Sequence, residues 1–202
     1  MRIVIFSERE TPAELRAQVL ALQAQAWPPD AGASAESDAG GGSGPGAGDD
    51  WHDPELDPVA MLLVDDAGVV LAGLDLLSKE IRHDGRSFKA RGLSRVVTGV
   101  AYRGRGYGRR LVAHARETIR LSGADLGIFT CDRELQSFYE SAGWQLVPGA
   151  VLVGGTPDDP FPSDLFDKVT MAGFFSAAAR RHTESFTGAR IALHPGLIDR
   201  LW

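Results

Sequence analysis

Apolar positions recur along the chain with two different periods, and the switches between them predict the order of its elements. Arg2 to Phe6 is a short β-branched run that predicts a strand. Thr11-Pro12-Ala13-Glu14 has the form of a capping box with proline at the first helical position. Leu15, Val19, Leu22 and Ala26 then repeat on one helical face until Trp27-Pro28-Pro29 stops it. Two turn signals further on, Asp65-Asp66-Ala67-Gly68 and His83-Asp84-Gly85, separate three stretches rich in Val, Leu and Ile: Val59 to Val64, Val69 to Ile81 and Ser87 to Ala101. They predict a three-stranded antiparallel meander.

After Ala101 the period changes. Tyr102 to Arg110 leads into Leu111, Val112, Ala115 and Ile119 at helical spacing, ended by Ser122-Gly123. An apolar strand follows from Leu126 to Thr130, then a short helix capped by Asp132 with Leu135, Phe138, Tyr139 and Ala142 on one face, ended at Gly143. Trp144 to Val147 resumes extended structure. The order β, α, three antiparallel β, α, β, α, β predicts an α/β fold in which helices pack across a central, mixed and mostly antiparallel sheet.

Composition changes this picture in two places. The chain has 202 residues, 44% hydrophobic and 24% charged, which suits one soluble domain spanning 1–202 that needs no disulfide or metal to be stable. A single cysteine, Cys131, and an N-terminus without an apolar leader predict a cytoplasmic protein with no membrane partner. The stretch 28–50 holds 7 Gly, 3 Pro, five acids and no base, and so supplies most of the net charge of −6. It cannot bury enough apolar area to order itself and reads as a flexible insertion.

Chemistry concentrates in the glycine-rich turn. Gly104, Gly106 and Gly108 alternate with Arg103, Arg105 and Tyr107, and Arg109 and Arg110 follow, all at the mouth of a helix. Glycine lets the backbone approach a ligand with positive φ, and the free amides of a helix start favour an anion. A phosphate-rich ligand fits. The spacing has neither the lysine of an NTPase loop nor the G-x-G-x-x-G of a dinucleotide fold. An arginine-glycine RNA-binding segment would be repeated and disordered, so no nucleic-acid partner is expected.

These residues resemble a known family. Arg103-Gly104-Arg105-Gly106-Tyr107-Gly108 is similar to the R-x-x-G-x-G/A loop of the GNAT N-acetyltransferases, and Leu135 to Trp144 resembles the helix F/L-Y-x-x-x-G-F/W that follows it. The resemblance covers about Val59 to Val147 and implies a GNAT-like fold whose sheet splays open after the fourth strand. It implies acetyl-coenzyme A as co-substrate, with no metal: the loop of Arg103, Gly104, Arg105, Gly106, Tyr107, Gly108 and Arg109 holds the pyrophosphate. The strand edge ending at Val100 and Ala101 pairs with the pantetheine amides, and a backbone amide near Val100 polarises the thioester carbonyl. Tyr139 stands where the motif puts the phenol that protonates the departing thiolate.

The base is not legible in the same way. Many relatives carry a Glu on the strand entering the loop, whereas this one reads Ser94-Arg95-Val96-Val97-Thr98. Glu80, His83, Asp84 and His182 read as solvated or turn residues, and none is assigned. Cys131 has no nearby His and reads as a small buried hydrophobe. The histidines lack metal-ligand spacing.

The acceptor region is expected in 148–202. Asp158, Asp159, Asp164 and Asp167 precede the first base at Lys168, an acidic run suited to a small amine. The region is more faintly similar to aminoglycoside 2'-N-acetyltransferases, through its Thr-Pro-Asp-Asp loop, a strand from Lys168 to Phe174 and a terminal Trp202. Asp158, Asp159 and Trp202 are therefore the expected contacts to an aminosugar. A peptide or protein amine and a non-catalytic acyl-coenzyme A sensor are the alternatives, and a homodimer is compatible with the chain.

Overall fold

Side-chain and glycine chemistry in two turns shapes the meander. After β2 (Val59–Val64), the Asp65 carboxylate accepts from the amides of Ala67 and Val69 at 2.9 and 2.8 Å. Between β3 (Val70–His83) and β4 (Arg86–Thr98), Asp84 and Gly85 both take positive φ, 48° and 70°, as a two-residue hairpin following the strand twist requires. The computed structural model of the protein describes residues 1–28 and 52–193. The expected 28–50 insertion, apart from the exposed Pro28, and Trp202 lie outside the described residues.

β1 (Arg2–Ser7), β5 (Leu126–Asp132), β6 (Gln145–Leu146) and β9 (Lys168–Phe174) join the meander in a seven-stranded sheet of order β1-β2-β3-β4-β5-β9-β6. Every neighbouring pair is antiparallel except β4 and β5. Those two meet only at Ala90 opposite Leu126 and Arg91 opposite Gly127. Past these pairs β4 continues to Thr98 and β5 to Asp132 with no ladder between them, so the mixed sheet splays open after its fourth strand.

α1 (Ala13–Ala26) and α2 (Tyr107–Leu121) cover opposite faces of the sheet. A Cβ on Gly73 of β3 would stand 2.6 Å from Val19 Cγ2, so glycine is what lets α1 lie against that strand. Leu74 and Leu76, alternating with Gly73 and Asp75, point the other way into the core shared with Leu111, Val112, Ala115 and Ile119 of α2. Beyond the family motifs, β7 (Val151–Gly155), β8 (Pro160–Pro162) and β10 (Arg190–Ala192) form a second sheet of order β10-β7-β8. In it β10 runs parallel to β7.

Three local expectations are corrected. Thr11 does not cap α1: Pro12 takes the N-cap position, and the Thr11 hydroxyl donates back to Ser7 O at 3.3 Å across the 3-10 turn Glu8–Glu10. Asp132 does not cap the motif helix, because the 3-10 turn Arg133–Leu135 intervenes before α3 (Gln136–Ser141). Its carboxylate pairs with Lys168 Nζ at 2.8 Å. β4 ends at Thr98 and not at Ala101, since Val100–Tyr102 curl into a 3-10 turn closed by the Tyr102 amide on Gly99 O at 2.8 Å.

Candidate active site

The glycine loop has the conformation its composition calls for. Gly104 and Gly106 take φ 75° and 77°, and a Cβ at either would meet nothing within 4 Å, so the demand there is conformational and not spatial. Gly108 differs. Its Cβ would stand 2.7 Å from Thr98 Oγ1, and that close approach draws the first turn of α2 onto the end of β4. Gly106 is the N-cap of α2 and brings no side-chain cap, so the amides of Tyr107, Gly108 and Arg109, which have no intrahelical carbonyl to reach, face outward with the positive end of the helix dipole.

Arg103, Arg105, Arg109 and Arg110 are exposed around this mouth. Arg105, Gly106, Tyr107 and Arg109 line an open concavity of about 540 Å³ with Arg110 and Ser141. Arg103 Nε donates to Thr98 O at 3.4 Å, tying the loop back to the strand. Val100 and Ala101 are exposed beside the splay, in the 3-10 turn and past the end of the ladder edge. A cradle of outward amides under four guanidinium groups fits a diphosphate.

Tyr139 lies across the splay on α3 and is 5% exposed. Its ring meets Phe129 of β5 edge-on at 4.9 Å and Phe138 at 5.0 Å. Burial first, then the neighbouring Cys131 and Asp132, hold its phenol well above the usual tyrosine range, so it keeps its proton at neutral pH. Cys131 lies on the same face of β5. Burial and then Asp132 push its thiol up to about 12, which leaves it un-ionised and inert as a nucleophile. Iodoacetamide at about pH 8 should therefore leave Cys131 intact in the native protein while alkylating it in urea. Equal labelling in the two states would refute its protected character.

The acidic run is partly neutralised within the fold. Asp164 pairs with Arg190 and Asp167 with Arg133, each at 2.9 Å, and both arginines come from distant parts of the chain. Asp158 and Asp159 stay exposed at the tip of the hairpin joining β7 to β8. Thr170 of β9, on the face away from Tyr139, donates to Ala150 O at 2.8 Å, which brings the chain entering the second sheet to the α1 side of the main sheet. The splay thus has the glycine loop, α2 and α3 on one side, and α1 and the second sheet on the other.

One buried cluster was not singled out from sequence. Glu8, Gln23, His52 and Asp75 are all buried on the α1 face, with His52 Nε2 3.3 Å and Gln23 Nε2 3.4 Å from Asp75 Oδ2. The His52 amide donates to Glu8 Oε1 at 3.4 Å. Among the described residues no group of three or more His, Cys, Asp and Glu could hold a metal, and no helix is long and apolar enough to cross a membrane.

An anion cradle at a helix mouth beside a splayed mixed sheet is the arrangement of a coenzyme A-dependent acyltransferase. A family model described as an acetyltransferase (GNAT) domain matches residues 9–147, and the chain belongs to the GNAT acetyltransferases. Among solved structures it is similar to Escherichia coli ElaA, at 18% identity and TM-score 0.55 over 85% of this chain and 99% of that one. It is also similar to the Escherichia coli GNAT N-acetyltransferase YhbS in complex with CoA, at 16% identity and TM-score 0.54 over 96% and 91%. An aminoglycoside 6'-N-acetyltransferase complexed with coenzyme A is 15% identical, with TM-score 0.53 over 87% and 98%. At these identities the likeness is one of fold. Comparison with curated proteins gives no match. The chain is thus an acetyl-coenzyme A-dependent acetyltransferase by family.

Proposed function

We propose that the protein moves an acetyl group from acetyl-coenzyme A to a primary amine of a small molecule, with an aminoglycoside-like aminosugar as the favoured acceptor class. The observation that carries the donor half is the pair of left-handed glycines, Gly104 and Gly106, opening α2 among exposed arginines at the edge of the splay. In this reading Arg103, Gly104, Arg105, Gly106, Tyr107, Gly108 and Arg109 hold the pyrophosphate, and the unladdered edge of β4 with Val100 and Ala101 takes the pantetheine amides. A backbone amide near Val100 polarises the carbonyl, and Tyr139 gives its proton to the departing thiolate. Much of the rate comes from holding amine and thioester together.

Residues 148–202 shape the acceptor side of the splay, and Asp158 and Asp159 supply negative charge to an incoming polyamine or aminosugar, with Trp202 as a further contact.

Calorimetry tests the donor half: acetyl-coenzyme A should bind, and Arg105→Glu with Arg109→Glu should weaken binding by about tenfold or more, each lost charge-assisted contact costing ~1.5–3 kcal/mol at most. No heat from the wild-type protein would remove the reading. Thiol release against aminoglycosides, polyamines and lysine peptides then tests the acceptor half. Turnover confined to peptides would replace the small amine with a protein substrate.

A further inference from the structure

Deprotonation of the acceptor is the step for which the strand entering the loop supplies nothing. β4 has neither a carboxylate nor an imidazole from Arg86 to Thr98. The strand beside it does. Asp75 of β3 is paired with Ser94 of β4, and residues directly opposite in an antiparallel pair share a face. Ser94 lies past Arg91, the last β4 residue in register with β5, so Asp75 is level with the opened part of the sheet. It is on the face away from α2 and α3, where α1 and the second sheet frame the acceptor side. Next to it β4 bulges: Arg95 and Val96 together oppose Leu74, with Arg95 at φ 48°.

Asp75 is held by polar groups from several elements. A carboxylate buried to 1% exposure is expensive unless hydrogen-bonded, and here Gln23 Nε2 and His52 Nε2 both approach the same oxygen, Oδ2. Glu8 faces the cluster from the turn after β1, Gln23 from α1 and Ala60 from β2. Gln23 Oε1 is buried without a hydrogen-bond partner among the described residues, a lone acceptor that an ammonium hydrogen would satisfy.

We infer that Asp75 takes the proton from the acceptor's ammonium group and that His52 is a positioning residue that fixes Asp75. The inference rests on the acetyltransferase reading. In this step an ammonium N–H bond breaks and its electron pair stays on nitrogen. The proton passes to Asp75, while the freed pair attacks the thioester carbonyl carbon. The C–S bond then breaks, the thiolate takes the Tyr139 proton, and water entering as the products leave restores the phenol and removes the proton from Asp75. An imidazole behind a carboxylate here reverses the order in which hydrolytic triads use the same two groups.

Two nucleophiles separate this role from a structural one. Asp75→Asn and His52→Gln are compared with wild type using acetyl-coenzyme A and either the best alkyl amine of the panel, charged at neutral pH, or hydroxylamine, uncharged there. Asp75→Asn should lose about 10²-fold or more in kcat with the alkyl amine, keep hydroxylamine turnover within about threefold, and bind acetyl-coenzyme A as wild type does. Its residual alkyl-amine rate should rise about tenfold per pH unit as free amine accumulates, whereas the wild-type profile flattens. His52→Gln should move the acid limb of kcat/KM and leave the hydroxylamine rate in place. Should Asp75→Asn fail to fold, the same comparison on His52→Gln decides. Equal losses with both nucleophiles, or no loss with either, overturn the inference. A wild-type protein that binds no acetyl-coenzyme A would instead sink the reading beneath it.

Discussion

Tyr139→Phe should lower acetyl transfer by about 10²- to 10⁴-fold while leaving acetyl-coenzyme A affinity and melting temperature close to wild type. The substitution is clean because only the hydroxyl goes. The ring keeps its edge-on contacts with Phe129 and Phe138, which hold α3 against β5. Since burial keeps the phenol protonated well past neutrality, the wild-type rate should show no loss from its ionisation over the range in which amines are tested. Stopped-flow measurement of thiol release checks both points. Equal turnover in the two proteins would strip Tyr139 of its role and leave it a core aromatic.

The glycine turn and α2 were readable because their signals are local. Glycines at 104, 106 and 108 around the start of a helix with apolar residues at 111, 112, 115 and 119 state a turn and a buried face within one short stretch, and all four apolar positions are fully buried. The loop's entrance was less legible. Val100 and Ala101 have strand-like composition, yet the Tyr102 amide turns back to Gly99 O and ends β4 at Thr98. The capping assignments at Thr11 and Asp132 failed for a related reason: each side chain found a partner outside the helix it was expected to cap.

What sequence could not supply was pairing at long range. β10 joins β7 in parallel although Ala192 and Val153 lie far apart in the chain, and both strands are too short to show a clear alternation. The acidic run looked uniform until Arg133 and Arg190 took two of its four carboxylates. The cluster around Asp75 draws on four separate elements, and Gln23, polar in sequence, breaks no helical pattern on a face read from Leu15, Val19 and Leu22. Local periodicity places helices and strands, whereas the site's polar contacts depend on which strands become neighbours.

Trp144→Ala should destabilise the protein by about 3–5 kcal/mol, the usual cost of removing a large buried aromatic, and lower turnover as well. Trp144 is 2% exposed, its ring meets Phe129 edge-on at 4.8 Å and 87°, and Phe129 in turn supports Tyr139. The indole fits because its neighbour has no side chain: a Cβ on Gly127 would stand 2.6 and 2.7 Å from Trp144 Cζ3 and Cη2. Trp144→Phe should cost much less, since it keeps an aromatic edge on Phe129 and removes a buried Nε1–H with no hydrogen-bond partner among the described residues, a group whose burial costs about 1–3 kcal/mol. Gly127→Ala should be severe alone and milder in the Trp144→Phe background, giving a coupling free energy of about 0.5–3 kcal/mol in a urea-denaturation double-mutant cycle. Additive effects would mean that the strand and the indole do not constrain one another, and Tyr139 would then owe its position to α3 alone.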